Sequence, residues 1–428
     1  MNDSVNAEYV SSTEDVDDND EDDNYDEAED EDEDEGSDSD SDSEINCDDD
    51  DDDDGGGGDE GEMIEIISTF HDTNRHESFC SVCWTQDPRT GKPLLAVGGK
   101  SGVIKVLDCQ TGKIVRTLVG HGDEILDLQV NPRVPHMLAS CSGDHTIRVW
   151  NLDRVADDHD DDNDDRRQPF CVAICGGAGG HREQVLTVAF HDSGRFLLSG
   201  GMDNQIHMWA LPADLSAKRP GLTVRNNNDS VYKPVILHWS HFATSVVHSN
   251  YVDSVGFLGD LILSRAAAEN KIVLWRINGF RGADQADELT QANAPTDHDN
   301  CDTLSRFKGS SSTGTTSNTT ATYTRLAQFN IPHTMPWYMR FGMTDDADGS
   351  CLLAMGSDTG RVYLKVPTWF EVSGRSGMAD PFGLIRPQQV ASLPRSRQRR
   401  LIRHVAFSPD GSEFMVAVGD GGLIAVFA

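Results

Sequence analysis

The sequence predicts an all-β fold, a propeller of small sheets set around a central axis. A strand-and-turn unit recurs six times from residue 79 onward: an apolar strand, a Gly or Asp turn, a small-residue strand, then a strand ending in Trp or a substitute. A single unit of this size cannot bury both faces of its sheet alone. Stacked in a ring, each blade covers its neighbours.

Residues 1 to 61 form an acidic low-complexity tail ahead of that unit. Residues 1 to 62 carry 33 of the 73 acidic residues of the chain and no Lys or Arg, so the net charge of −38 belongs almost wholly to them. With almost nothing apolar to bury, such a stretch is expected to be disordered, a solvated spacer or a tract that engages basic proteins. The propeller is expected over 62–428. Its first candidate strand is "EMIEIISTF" at 62 to 70.

Two repeats are clear: "GHGDEILDLQVNPRVPHMLASCSGDHTIRVWNL" from 120 and "GHREQVLTVAFHDSGRFLLSGGMDNQIHMWAL" from 180. His121, Ser140, Asp144 and Trp150 of the first recur as His181, Ser199, Asp203 and Trp209 of the second. These marks are those of the WD-repeat class. A Ser, His and Asp set also suggests a hydrolase, but a nucleophile is needed once and this set occurs twice at fixed spacing beside a Trp. A buried hydrogen-bond chain that pins a turn to its blade explains the repetition. Four weaker copies begin at "FCSVCWTQ", "NYVDSVGFLGDLILS", "WYMRFGM" and "IRHVAFSPDG".

Insertions separate the repeats near 153–169, 281–322 and 371–400, and are expected to be mobile loops; the last holds Arg395, Arg397, Arg399 and Arg400, suited to nuclear import or an acidic partner. The chain ends on "LIAVFA", which reads as a third strand, so the last blade lacks its fourth. Either residues 62 to 70 close a ring of six, or a seven-bladed ring lacks its first blade.

Other chemistry is weak. Nine scattered cysteines suit a reducing compartment better than a disulfide framework. "CSVC" at 80 to 83 has no second pair and puts its thiols on opposite strand faces, "GGKSG" at 98 to 102 lacks phosphate-loop spacing, and the acidic run after Asp153 lacks the Gly and Glu of a calcium loop. No metal site and no cofactor are expected. No long apolar run or signal sequence suggests a membrane, and the acidic charge argues against direct nucleic-acid binding.

"NYVDSVGFLGDLILS", "WYMRF" and the two clear repeats resemble the Extra sex combs and embryonic ectoderm development family, the WD-repeat subunit of Polycomb repressive complex two. The resemblance implies a seven-bladed, non-catalytic nuclear scaffold. Its implied partners are a SET-domain methyltransferase of Enhancer-of-zeste type, the histone H3 tail and other Polycomb subunits. It also implies an aromatic cage for trimethyl-lysine, with Trp337 and Tyr338 at matching positions and Arg340, Asp253 and Arg403 as peptide-contact candidates. Rings attract a trimethylammonium that cannot donate hydrogen bonds. The sequence departs from the cage at Cys80, where the family has Tyr, and adjacent Phe79 is expected to face the other way. If "MPWYMRF" begins a strand, Trp337 and Tyr338 also point to opposite faces; Trp337 packing between blades and Tyr338 capping the loop is the plainer reading. A WD-repeat adaptor of another complex, with no methyl-lysine reading, is the alternative.

Overall fold

A computed structural model describes residues 69–153, 170–216, 222–224, 230–232, 234–282, 302–307, 322–345, 351–365, 384–385, 389–392, 400–407, 415–420 and 423–427. The acidic tail, most of the candidate strand at 62 to 70 and the Arg residues at 395, 397 and 399 lie outside them.

The six repeats fold as six meandering sheets. The first blade consists of Phe79–Gln86, Pro93–Gly99, Ile104–Asp108 and Lys113–Leu118. The second takes Ile125–Val130, Met137–Ser142, Ile147–Asn151 and Phe170–Gly179, and the third Val185–Phe190, Phe196–Gly201, Ile206–Ala210 and Phe242–Thr244. The fourth uses Val252–Leu258, Leu261–Ala266, Lys271–Ile277 and Tyr323–Asn330, and the fifth Phe341–Asp345, Cys351–Gly356, Arg361–Lys365 and Gln389–Ser392. The sixth has three strands among the described residues, Ile402–Phe407, Met415–Gly419 and Leu423–Phe427. Residues 69 and 70 are not strand, and no seventh such sheet occurs among the described residues.

Parts of the expected loops are strands instead. Thr303–Ser305 adds a fifth strand to the third blade, Leu384–Ile385 a parallel fifth to the fourth, and Gln389–Ser392 is the outer strand of the fifth blade. Short segments of this kind cover sheet edges whose backbone groups would otherwise be unpaired.

Five buried apolar clusters lie between consecutive blades, from Leu94, Ile104, Leu138 and Trp150 between the first two to Val362, Ile402 and Val405 between the last two. Each fully buried Leu, Val or Ile contributes about 1.5–3 kcal/mol relative to exposure. Val82 and Trp84 of the first blade stay exposed.

One hairpin position recurs in the left-handed region. Gly102 and Gly360 hold it in the first and fifth blades, and His145 and Asn204 in the second and third. Gly and Asn tolerate this conformation best, which is why the turns are legible as Gly-rich or polar.

Candidate functional site

The innermost strands converge on the segment Thr334 to Arg340. The expected strand begins at Phe341, and the two rings sit in the loop before it, with Tyr338 at φ 59°. The separation of the rings therefore comes from a left-handed residue and not from strand alternation. Trp337 is 50% exposed and does not pack between blades. Tyr338 is turned inward against the core between the second and third blades.

The Tyr338 hydroxyl lies 2.7 Å from the carbonyl of Leu126 and 3.1 Å from that of Cys80, and shares its one proton between them. Burial pushes its ionisation well above the ordinary phenol range, so it remains a donor at neutral pH. The guanidinium of Arg340 lies 5.3 Å from the ring centroid, pairs with Asp127, and donates to the carbonyls of Leu126 at 2.8 Å and Leu186 at 3.1 Å. The Arg340 amide donates to the Arg403 carbonyl at 2.7 Å. Two side chains thus tie the loop to the first, second and third blades.

Asp253 and Arg403 hold the loop from the remaining sides. Asp253 is fully buried, pairs with Arg265, and accepts from the Met339 amide at 3.2 Å. Burial pushes its carboxyl up against the opposing pull of Arg265. Arg265 donates to the carbonyls of Thr334 and Pro336, the latter at 2.6 Å. Arg403 pairs with Asp420 and donates to the Trp337 carbonyl at 3.1 Å. Both peptide-contact candidates therefore bear on the backbone that carries the rings.

A cavity of about 650 Å³ opens beside this loop, lined among others by Phe79, Cys80, Asp127, Tyr338, Arg340 and His404. Trp337 is not part of its wall; its ring meets Tyr338 edge-on at 5.9 Å. Phe79 and Cys80 both line the cavity, contrary to strict alternation, because the pairing register shifts between Phe79 and Ser81. Burial pushes the Cys80 thiol up, so it is uncharged and brings no π face.

The repeated marks form the expected chains. His121 bonds Asp144 at 2.8 Å and Ser140 at 2.7 Å, and Trp150 donates to the same Ser140 oxygen at 2.8 Å. His181, Asp203, Ser199 and Trp209 repeat the pattern at 3.0, 2.8 and 3.1 Å. A third chain, missed in the sequence, joins His248 to Glu269 at 2.7 Å, to Ser264 at 2.8 Å, and Ser264 to Trp275 at 2.9 Å. Its turn is one residue longer and its acid is Glu, which hid it from a fixed-spacing search. Arg265 and Asp127 were missed as well. Their signal is a charged residue inside an apolar strand, "ILSRA" and "ILDLQV".

The family model for the WD domain, G-beta repeat, matches residues 112–151 and 171–210. Polycomb protein EED of Chaetomium thermophilum is 42% identical over 282 residues, covering 65% of this chain and 45% of that protein. Polycomb protein esc of Drosophila melanogaster is 28% identical over 360 residues, covering 83% and 71%. The chain thus spans less than half of the first relative and about seven-tenths of the second. A chain in the Chaetomium thermophilum Polycomb Repressive Complex 2 bound to GSK126 superposes with TM-score 0.68 at 32% identity, covering 85% of each chain. Another, in that complex with H3K27me3 and H3K27M, gives 0.69 at 30%, covering 85% of this chain and 84% of that one.

Proposed function

The chain belongs to the Extra sex combs and embryonic ectoderm development family of Polycomb WD-repeat proteins, and from that premise we propose that it is a non-catalytic scaffold subunit of a Polycomb-type histone H3 lysine methyltransferase complex. It holds a SET-domain methyltransferase of Enhancer-of-zeste type together with other Polycomb subunits, in the nucleus, in support of gene silencing. The observation that carries this reading is the likeness of the whole propeller to a chain of Polycomb Repressive Complex 2, at TM-score 0.69 over 85% of this chain. A scaffold role also fits the site. The polar side chains that converge on the axis, Asp127, Arg340 and the Tyr338 hydroxyl, are already bonded to one another's strands, where an acid or base catalyst needs a group able to exchange protons with a substrate.

The same loop supports histone-tail engagement. Trp337 offers an exposed ring beside the edge of Tyr338, and Phe79 lies in the wall of the neighbouring cavity. Each good ring contributes about 0.5–2 kcal/mol to holding a trimethylammonium. Cys80 contributes no such face, so the cage is weaker than one of four rings.

Co-expression with the SET-domain methyltransferase of the same organism tests the scaffold reading: a stoichiometric complex through gel filtration is expected, and copurification with a different set of partners instead favours an adaptor of another pathway. Titration with a trimethylated Ala-Arg-Lys-Ser peptide beside its unmethylated form tests tail reading. A methyl-dependent preference is expected; equal binding leaves the scaffold role alone.

A further inference from the structure

The geometry points to a divalent transition-metal site of zinc type, formed by His181, Asp203 and His207 at the turn end of the third blade. One donor atom from each of the three lies within 4.8 Å of the others. The His181 and His207 rings are 4.3 Å apart between centroids. Zinc bonds of about 2.0–2.2 Å set tetrahedral ligands roughly 3.3 Å apart, so a contraction of up to about 1.5 Å completes the set, with water in the fourth position.

The observation that singles out this blade is His207 itself. Its Nδ1 lies 3.0 Å from the Ser240 hydroxyl, while its Nε2 is buried and has no hydrogen-bond partner. A buried bare nitrogen costs free energy, and a metal ion supplies the missing partner. When Nδ1 donates to the Ser240 oxygen, Nε2 keeps its lone pair, the arrangement usual for a ligating imidazole. In the second blade the same position is Arg148, and in the fourth it is Val273, so their His, Ser, Trp and acid chains have no second imidazole.

Binding requires no loss of the structural chain. His181 Nδ1 faces Asp203 at 3.0 Å and Nε2 faces Ser199 at 2.8 Å. When the ion takes Nδ1, the ring proton moves to Nε2 and donates to Ser199, whose oxygen already accepts from Trp209. The proton count is unchanged, Asp203 exchanges a hydrogen bond for a metal bond, and the Ser199 hydroxyl, now accepting from both His181 and Trp209, gives up its own donation to Nε2.

The test uses the full chain, stripped with a strong chelator, loaded with zinc ion alone, and washed with a weak chelator before metal analysis. One zinc retained per chain is expected, falling at least ten-fold in His207→Phe, which keeps the ring stacked on Trp209; binding by the acidic residues is weak, is removed by the wash and does not depend on His207. No retained zinc in the wild type, or equal retention in the variant, overturns the proposal. Should His207→Phe fail to fold, X-ray absorption of the zinc-loaded wild type decides: two imidazoles with nitrogen and oxygen ligands only are expected, and a sulfur ligand overturns it.

Discussion

Blades two, three and four each contain a private polar chain of His, Ser, Trp and acid; among the described residues, blades five, six and one contain none. The strand register puts Val97, Met355 and Ala417 where the three serines stand. In the first set each turn is pinned to its own sheet. Both sets are tied together through the loop at 334 to 340, which leads into the fifth blade and whose contacts reach the first, second and third blades by Tyr338 and Arg340, the fourth by Arg265 and Asp253, and the sixth by Arg403. The loop that carries the two rings is therefore also a strap across the propeller, and under the proposed tail reading substitutions there act on stability and binding together.

The strap is broken most severely at Arg265. Arg265→Met leaves the Asp253 carboxylate buried and unpaired, and a loss of about 3–5 kcal/mol is expected in urea denaturation. Adding Asp253→Leu should restore part of that loss, because the stranded charge is gone; no recovery would mean that the backbone bonds to Thr334 and Pro336 matter more than the pair.

Within the private chains the effect is smaller. Ser140→Ala or Ser264→Ala strips a partner from both a buried His and a buried Trp, at a cost of about 2–3 kcal/mol. Val97→Ala, at the matching position of the first blade, removes only apolar volume and should cost about 1–2 kcal/mol. Equal losses at both positions would erase the distinction between the two sets.

Acid should expose the same difference. Desolvation holds His121 and His248 below the ordinary histidine value despite the opposing pull of Asp144 and Glu269. The unfolded chain takes up protons near pH 6.5 while the folded chain does not, so this stability is present above pH 6.5 and is lost as pH falls toward the lower folded values. Desolvation raises Asp144 and Glu269, but hydrogen bonds led by those from His121 and His248 outweigh it and hold both below the usual carboxylate range. Their contribution is present above about pH 4 and is lost on further acidification. Unfolding free energies from urea denaturation should decline from pH 6.5 downward, by at most about 1.4 kcal/mol per pH unit for each histidine.

The repeats were legible because the order of apolar strand, Gly or Asp turn, small-residue strand and Trp-ended strand recurs, and the two chains of blades two and three because their Ser, Asp and Trp spacing is identical. The chain of blade four was hidden by one extra turn residue. The family resemblance located Trp337, Tyr338 and Arg340 but not their geometry, since a left-handed Tyr338 and the register shift at Phe79 are local backbone choices that no residue type demands. Arg265 stood in view as an Arg within an apolar strand, but its partner is chosen by the pairing of two strands. The approach of His181 to His207 is tertiary in the same sense, since 25 residues lie between them in "HREQVLTVAFHDSGRFLLSGGMDNQIH".

The smallest effects separate strap from reader within one pair of adjacent residues. Tyr338→Phe keeps the π face and removes the hydroxyl shared by the Leu126 and Cys80 carbonyls, so stability should fall by about 1 kcal/mol while preference for the trimethylated peptide persists. Trp337→Ala removes an exposed ring and one edge contact, so stability should move by only about 0.5 kcal/mol while that preference disappears. If Tyr338→Phe abolishes the preference as well, the ring must be held by its hydroxyl to bind, and strap and reader are then one device. If Trp337→Ala leaves the preference intact, the cation is held inside the cavity by Tyr338 and Phe79, and the exposed ring has another partner.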